Sequence, residues 1–492
     1  MTDMLQDNGL FIDGEWTAAT GGAPALTVVS PLTEQNIGEV QSASAGDADR
    51  AVQAARTAFD EGPWPQMSGP ERAAVLRRMA AAYRDRAESV AQTVTAEMGS
   101  PITLSRTIHS VRPSEMLDFY ADIAESYGFE QVRAGRNGDA IVRSEPVGVV
   151  AAIVPWNYPQ TGAMLKVAPA LASGSTVVLK PSKDTPVDAQ VFGEVAAEAG
   201  LPAGVLNIVS SGPGVGDALV RHDGVDKVSF TGSTEVGAGI ASACGLAIRR
   251  VSLELGGKSA AIVLADADLD RAVPGIIASS YANTGQTCTA QTRVLVARSR
   301  YREFVDAFGA AAAALPLGDP FDAATRLGPL VSARQRETVR GYIDVGRGEG
   351  ARLVTGGNDA AVPDTGWFVA PTVFSDVDPG MRVAQEEIFG PVIVVIPFDD
   401  DAEAIRIAND SQYGLSGAAW SEDLDRALRV ARGVRTGQYL INGASAGLIA
   451  PIGGFKKSGI GREFGVEGFQ AYLEIKSISV PSGYLSVAGA GA

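Results

Sequence analysis

Histidine is almost missing from this chain of 492 residues, with His109 and His222 its two examples. Neither has a Cys, His or Asp neighbour at metal-ligand spacing, so no metal site is expected. His109 lies in the helix-patterned RTIHSVRPSEMLDFYADIA and His222 in the polar turn RHDGVD, which leaves a Ser-His-Asp relay without a well-placed base. Any catalysis must then fall to Cys, Glu and Lys. Cysteine is equally scarce: Cys244 and Cys288 make no disulfide framework and fit a reducing compartment. No apolar run approaches the roughly 18 residues needed to span a bilayer. The start, MTDMLQDNGLFIDGEW, is acidic where a signal peptide is basic and then apolar. A soluble cytoplasmic protein is expected. Positive charge is in deficit as well, giving a formal charge of −16, which repels phosphate backbones and anionic lipid. Nucleic acid and membrane are therefore not expected as partners.

What is present is globular in character, with 46% apolar and 20% charged residues. A chain this long exceeds one hydrophobic core, so at least two domains are expected. Residues 47–98 carry apolar side chains three and four apart and predict amphipathic helices, a helical opening to the fold. From 141 the texture changes to short apolar runs bounded by Gly and Pro, such as IVRSEPVGVVAAIVP, STVVLKPS, VLNIVSSG and KVSFTGS. Helix-length segments separate them, which predicts a doubly wound α/β unit with a parallel sheet. The alternation continues beyond 258 through TRVLVAR, RLVTGG and PVIVVIPF, predicting a second α/β unit. The tail AYLEIKSISVPSGYL reads as a strand without a local partner.

No segment places G-x-G-x-x-G between a strand and a helix. GRGEGA at 346–351 follows a helix instead, and GGKS at 256–259 has Ser252 where a phosphate-binding loop needs glycine. KVSFTGSTEVGAGIAS at 227–242 is the better candidate, because a strand runs into Gly232 and Ser233 and a helix begins near Thr234. Free backbone N–H groups and a helix dipole at such a turn suit a pyrophosphate, although an ordinary capped loop is the commoner explanation. Cys288, in YANTGQTCTAQTRVLV, has the small polar neighbours of a partly exposed thiol, whereas Cys244 in GAGIASACGLAI has those of an inert one. Taken alone, either cysteine reads as structural.

Several segments taken together change that balance. PWNYP (155–159), LKPS (179–182), FTGSTEVG (230–237), LELGGKS (253–259), GQTC (285–288), EEIFGPV (386–392) and GGFKKSGIGRE (453–463) occur in the order of the aldehyde dehydrogenase superfamily, which this sequence resembles over nearly its whole length. The resemblance implies two doubly wound Rossmann-like α/β domains plus a small β oligomerisation flap. The cofactor-binding domain would be 1–123 and 147–257, the catalytic domain 258–470, and the bridging element 124–146 with 471–492, joining subunits into a dimer or tetramer.

The resemblance also implies residue roles. Cys288 would attack the aldehyde carbon, and Asn157 with the Cys288 backbone N–H would hold the oxyanion of the thiohemiacetal. Glu254, in the apolar setting VSLELGG, would activate the water that hydrolyses the thioester. Lys180, counted with this catalytic set, would also reach the adenosine ribose of NAD or NADP, Glu387 the nicotinamide ribose, and Phe389 would pack on the nicotinamide. Gly212 and Ser233 would line the adenine and pyrophosphate site. Ile153, Pro155, Trp156, Ser182, Gly216, Phe230, Gly232, Val236, Leu255 and Gly256 would complete the cofactor cleft.

The chain departs from the family at telling places. NAD-specific members commonly carry glutamate where this chain has Lys183, and lysine cannot accept a ribose hydroxyl, so NADP use is expected at least alongside NAD. In the aldehyde tunnel, Tyr158 is followed by Thr161, Gly162 and Leu165 on one helical face, where members for small aldehydes are often bulkier. Thr287 and Thr289 flank the nucleophile, and Ile452 replaces a common phenylalanine. A roomy apolar channel for medium to large aldehydes is expected, and the tryptophan box of betaine-aldehyde enzymes is missing. A CoA-acylating dehydrogenase would typically lack the equivalent of Glu254. A non-catalytic protein would have no need of Cys288, Glu254 and Asn157 together, and a cysteine acyltransferase would leave LKPS and EEIFGPV unexplained.

Overall fold

The computed structural model describes residues 5–482, so the end of the tail expected in the bridging element, 483–492, lies outside the described residues. Two parallel-cored sheets organise the chain. The first has eight strands. Its centre is Arg250–Glu254, Lys227–Thr231, Val149–Ile153, Thr176–Lys180 and Leu206–Ile208, all parallel. The second has seven, with Thr372–Ser375, Val392–Phe398, Arg293–Ala297, Ala260–Val263, Gly417–Trp420 and Leu440–Ile441 parallel, and Arg352–Thr355 antiparallel at one edge. Helices cover both faces, so strands such as VVAAI at 149–153 are buried along their whole length, as an unbroken apolar run requires. Each sheet carries one apolar core on either side.

Local signals set the helix starts. Ser44 and Asp47 form a reciprocal capping box on Ala45–Asp60, and Ser68 with Glu71 repeats it on Gly69–Asp85. A helical opening is nevertheless not what the chain has, because four short strands precede the first helix, at Leu10–Ile12, Glu15–Thr17, Leu26–Val29 and Asn36–Val40. Strands this short leave too little alternation to register. The Asp13-Gly14 turn between the first pair was the available cue, since both residues take positive φ, as a two-residue hairpin demands.

The tail strand Leu473–Val480 also differs from expectation. It pairs antiparallel with Asp139–Pro146 of its own chain along its full length, and Glu130–Ala134 pairs on the far side. The run IVRSEPVGVVAAIVP explains this, because it breaks at Val147–Gly148 into two strands of different sheets. Residues 459–470, expected with the second unit, pack on the first. Gly459–Ile460 joins the edge of the eight-stranded sheet beside Arg250–Glu254, and Phe469 is buried in its core. No helix among the described residues is long and apolar enough to cross a membrane.

Candidate active site

The loop that carries Cys288 is wound tightly. Asn283, Thr284 and Gly285 all take positive φ (53°, 57° and 75°), a conformation costly for a β-branched residue and concentrated at functional sites. Hydrogen bonds hold the turn. Asn283 Nδ2 donates to the Asn157 carbonyl at 2.8 Å, Asn157 Nδ2 donates to the Gln286 carbonyl at 3.0 Å, and the Val331 N–H donates to Gln286 Oε1 at 3.0 Å. PWNYP and GQTC are thus tied together two residues before the thiol. Tyr158 adds a second tie through its hydroxyl, 2.8 Å from Thr287 Oγ1.

LELGGKS meets this loop through its glycines. A side-chain carbon on Gly257 would stand 2.4 Å from the Cys288 carbonyl oxygen, and one on Gly256 would stand 2.3 Å from Glu387 Oε2. The Gly257 N–H donates to Glu387 Oε1 at 2.9 Å. Only glycine lets the strand end carrying Glu254 approach the nucleophile loop and EEIFGPV at once. Phe389, itself at φ 59°, packs edge-on against Trp156 with ring centroids 5.4 Å apart.

Three cavities adjoin these residues, and Cys288 lies where two of them meet. One, of about 250 Å³, includes Trp156, Gly232, Ser233, Glu387 and Phe389 in its wall, with Pro155, Leu255 and Gly256. Another, of about 450 Å³, holds Glu254 beside Cys288 and Asn157 and extends outward between Tyr158, Thr161, Gly162, Leu165, Thr287, Thr289 and Ile452. All the residues expected in the aldehyde tunnel are therefore brought together. A third, of about 400 Å³, is lined by Ile153, Lys180, Gly216, Phe230 and Val236. Lys180 Nζ donates to Ser211 Oγ at 2.6 Å there, and burial pushes its ammonium down to about 8. Ser233 caps the helix Thr234–Leu246, accepting from the Val236 N–H.

Three expected cofactor residues stand apart from these cavities. Lys183 is exposed on the turn after Lys180, next to Asp184, and Ser182 bonds that same Asp184. Gly212 faces the opposite way, since a side-chain carbon there would meet the Ala43 carbonyl oxygen at 1.9 Å. Its small size admits the chain just ahead of the first helix.

The electrostatics are unusual for a cysteine site. Burial, followed by the negative charges of Glu387 and Glu254, pushes the Cys288 thiol up to about 12, while the backbone N–H groups of Thr289 and Cys288 pull the other way. Burial raises Glu387 to about 7. Glu254 is raised by burial and then by Glu463, and lowered by Lys166 and Arg462. Lys166 and Glu463 form a buried ion pair of 2.7 Å directly behind Glu254. Sequence reasoning passed over this pair. Its signal was Lys166 itself, the one charge in the otherwise buried helix PQTGAMLKVAPALAS, together with Glu463 at the end of GGFKKSGIGRE. Gln335 was also missed; it lines the cavity of Glu387 and donates to the Phe389 carbonyl at 2.9 Å.

Such an arrangement can bind an elongated two-part ligand along the first sheet, admit a second molecule from the opposite side, and present one thiol to both. Among the described residues no group of three or more His, Cys, Asp and Glu could hold a metal ion.

Comparison with known proteins agrees with this geometry. Residues 16–478 match the aldehyde dehydrogenase family. The chain is 47% identical over 470 residues to geranial dehydrogenase of Castellaniella defragrans, covering 95% of this chain and 98% of that one. An aldehyde dehydrogenase of Mycobacterium tuberculosis solved with NAD+ superposes with a TM-score of 0.96 at 44% identity, covering 98% of this chain and all of the other. A mutant of aldehyde dehydrogenase C from Pseudomonas syringae, solved with NAD+ and octanal, superposes with a TM-score of 0.92 at 41% identity, with 97% and 96% covered.

Proposed function

Since this chain belongs to the aldehyde dehydrogenase family, we propose that it oxidises medium to large apolar aldehydes to carboxylic acids with a nicotinamide cofactor, through a covalent intermediate on Cys288. The position of Cys288 at the junction of two cavities carries this reading, because one thiol must face the aldehyde on one side and the hydride acceptor on the other.

The residues present fit a dinucleotide. Lys180 lines the cavity of about 400 Å³, and the Glu387 carboxylate can accept two ribose hydroxyls in the one of about 250 Å³, over a glycine that leaves it room. When bound, the cofactor supplies the hydride acceptor. Everything else falls to the protein. A thiol held this high must lose its proton as it attacks, and carboxylates line both cavities that meet at Cys288, Glu387 in one and Glu254 with Glu463 in the other. The Asn157 side-chain amide, fixed by its bond to Gln286, and the Cys288 backbone N–H hold the oxyanion of the thiohemiacetal, a pair of donors worth roughly 3 kcal/mol of barrier. After hydride departure Glu254 takes a proton from the water that cleaves the thioester. Lys166 and Glu463 tune its charge, Glu463 raising its pKa and Lys166 lowering it.

The apolar walls and volume of the outer cavity support a long substrate, as do geranial for the Castellaniella relative and octanal for the Pseudomonas structure. NAD is the cofactor of the solved relatives. Lys183 cannot accept a ribose hydroxyl, so NADP is used beside it. The free edge of Leu473–Val480 and the exposed Ile475 suit pairing with a second copy, in a dimer or tetramer. The test is an aldehyde panel assayed with NAD and with NADP, with and without CoA. The free acid should form at higher kcat/KM for long aldehydes than for acetaldehyde, and Cys288→Ala should abolish it. Equal kcat/KM for the two, a CoA thioester product or a strict preference for NAD would each remove its part of the reading.

A further inference from the structure

The outer cavity is graded from a buried end to an open one. Asn157 and Glu254 at the base are 6% and 8% exposed, whereas Ser445 and Gly447 on the far wall are exposed to solvent. The acids of its lining are Glu254 and Glu463, both at the base. The one cation among its lining residues is Arg112, whose side chain is 35% exposed and so belongs to the open end.

Arg112 opens the helix Arg112–Ser126, directly after a π-helical turn at Ser105–His109. That turn is fastened to the tunnel wall, because Thr161 Oγ1 donates to the Ile108 carbonyl and the buried His109 ring stacks on Tyr158 with centroids 5.5 Å apart. The guanidinium is thereby carried on a rigid element, yet its own charge is weakly matched. Among the described residues its one ion-pair partner is Glu115, at 3.7 Å, with side chains 35% and 52% exposed. Loose pairing of this kind contributes little and leaves the planar donors free to meet another acceptor. In a protein of net charge −16, a lone cation at the mouth of an apolar channel is out of character unless something anionic arrives there.

Resting on the long-channel reading above, we propose that Arg112 selects aldehydes whose far end carries a carboxylate, so that the preferred substrates are semialdehydes of long dicarboxylic acids. The reactive carbon reaches Cys288, the methylene chain lies along Leu165, Ile108 and Ile452, and the terminal carboxylate meets the Arg112 guanidinium at the mouth. Charge steering at the mouth makes the effect sensitive to salt.

The experiment compares a straight-chain aldehyde with its ω-carboxylate and ω-methyl-ester analogues of equal length, in wild type, Arg112→Leu, Arg112→Lys and Glu115→Gln. The ratio of kcat/KM, carboxylate over unsubstituted aldehyde, should exceed unity in wild type and fall with added salt. It should drop about tenfold in Arg112→Leu, as expected for one charge-assisted contact. Arg112→Lys should recover part of it, Glu115→Gln should raise it, and the ester should show none of these changes. A wild-type enzyme that oxidises both aldehydes with a ratio unmoved in Arg112→Leu overturns the role of Arg112. An ester that behaves as the carboxylate does overturns the anionic selectivity. A wild type inactive on every long aldehyde overturns the channel reading, and this inference with it.

Discussion

Removing Lys166 separates the structural and chemical roles of the buried pair behind the general base. In Lys166→Met, the Glu463 carboxylate, at 5% side-chain exposure, is left without the ammonium 2.7 Å away. Leaving one member of such a pair buried alone costs about 3–5 kcal/mol. Replacing both by apolar residues of similar volume is close to neutral. Lys166→Met should therefore lower the urea midpoint of the first unfolding step, and Lys166→Met/Glu463→Leu should restore most of it. The kinetic sign follows from the neighbours of Glu254. Burial and Glu463 raise its pKa and Lys166 lowers it, so loss of Lys166 alone raises it further. The acid limb of the kcat–pH profile should then move to higher pH in the single variant and return toward wild type in the double one. Tryptophan fluorescence in urea and steady-state rates at saturating substrate read the two effects separately. A single variant destabilised by less than about 1 kcal/mol, or a double variant as unstable as the single one, would refute the reasoning about the pair. An unmoved acid limb would refute its link to Glu254.

Gly256→Ala should fold yet lose most cofactor affinity, read by calorimetric titration, because the added carbon would lie 2.3 Å from Glu387 Oε2 and must displace that carboxylate. Glu387, raised to about 7 by burial, offers two charged acceptor oxygens to the ribose hydroxyls when ionised and only weaker neutral ones when protonated, so cofactor affinity should increase as pH rises through about 7, and Glu387→Gln should flatten that rise. Cys288 in the ligand-free enzyme should react slowly with iodoacetamide, at a rate still climbing at about pH 10, since its thiol is pushed up to about 12. A plateau near neutral pH would show a preformed thiolate instead.

The alternation of apolar runs and helix-length segments made both parallel sheets legible, because buried strands with helical crossovers leave that pattern and few others. The antiparallel hairpin at 10–17 and the strands at 372–375 and 417–420 were not legible, being three or four residues long. Cys288, Glu254, Asn157, Glu387 and Phe389 came forward through the resemblance of their segments to a family, and folding brings those segments into contact with one another, as Gly256 and Gly257 demonstrate. At Gly212 the glycine records that something comes close, and the sequence alone does not say that one such neighbour is the Ala43 carbonyl. Lys166 and Glu463 meet across 297 positions of sequence, so a lone charge in an apolar helix could mark Lys166 but nothing local could name its partner. The raised thiol of Cys288 depends on two carboxylates brought in by folding, and its polar neighbours in GQTCTA gave no hint of them.

The central claim is that Cys288 carries the acyl group and Glu254 releases it. Mixing Glu254→Gln with cofactor and a long aldehyde, then following absorbance and the intact mass of the protein, tests both halves at once. The account predicts a burst of reduced cofactor stoichiometric with subunits, negligible turnover afterwards, and an added acyl mass on the peptide containing Cys288. Sustained turnover without an adduct, or an acyl group on any other residue, would contradict it.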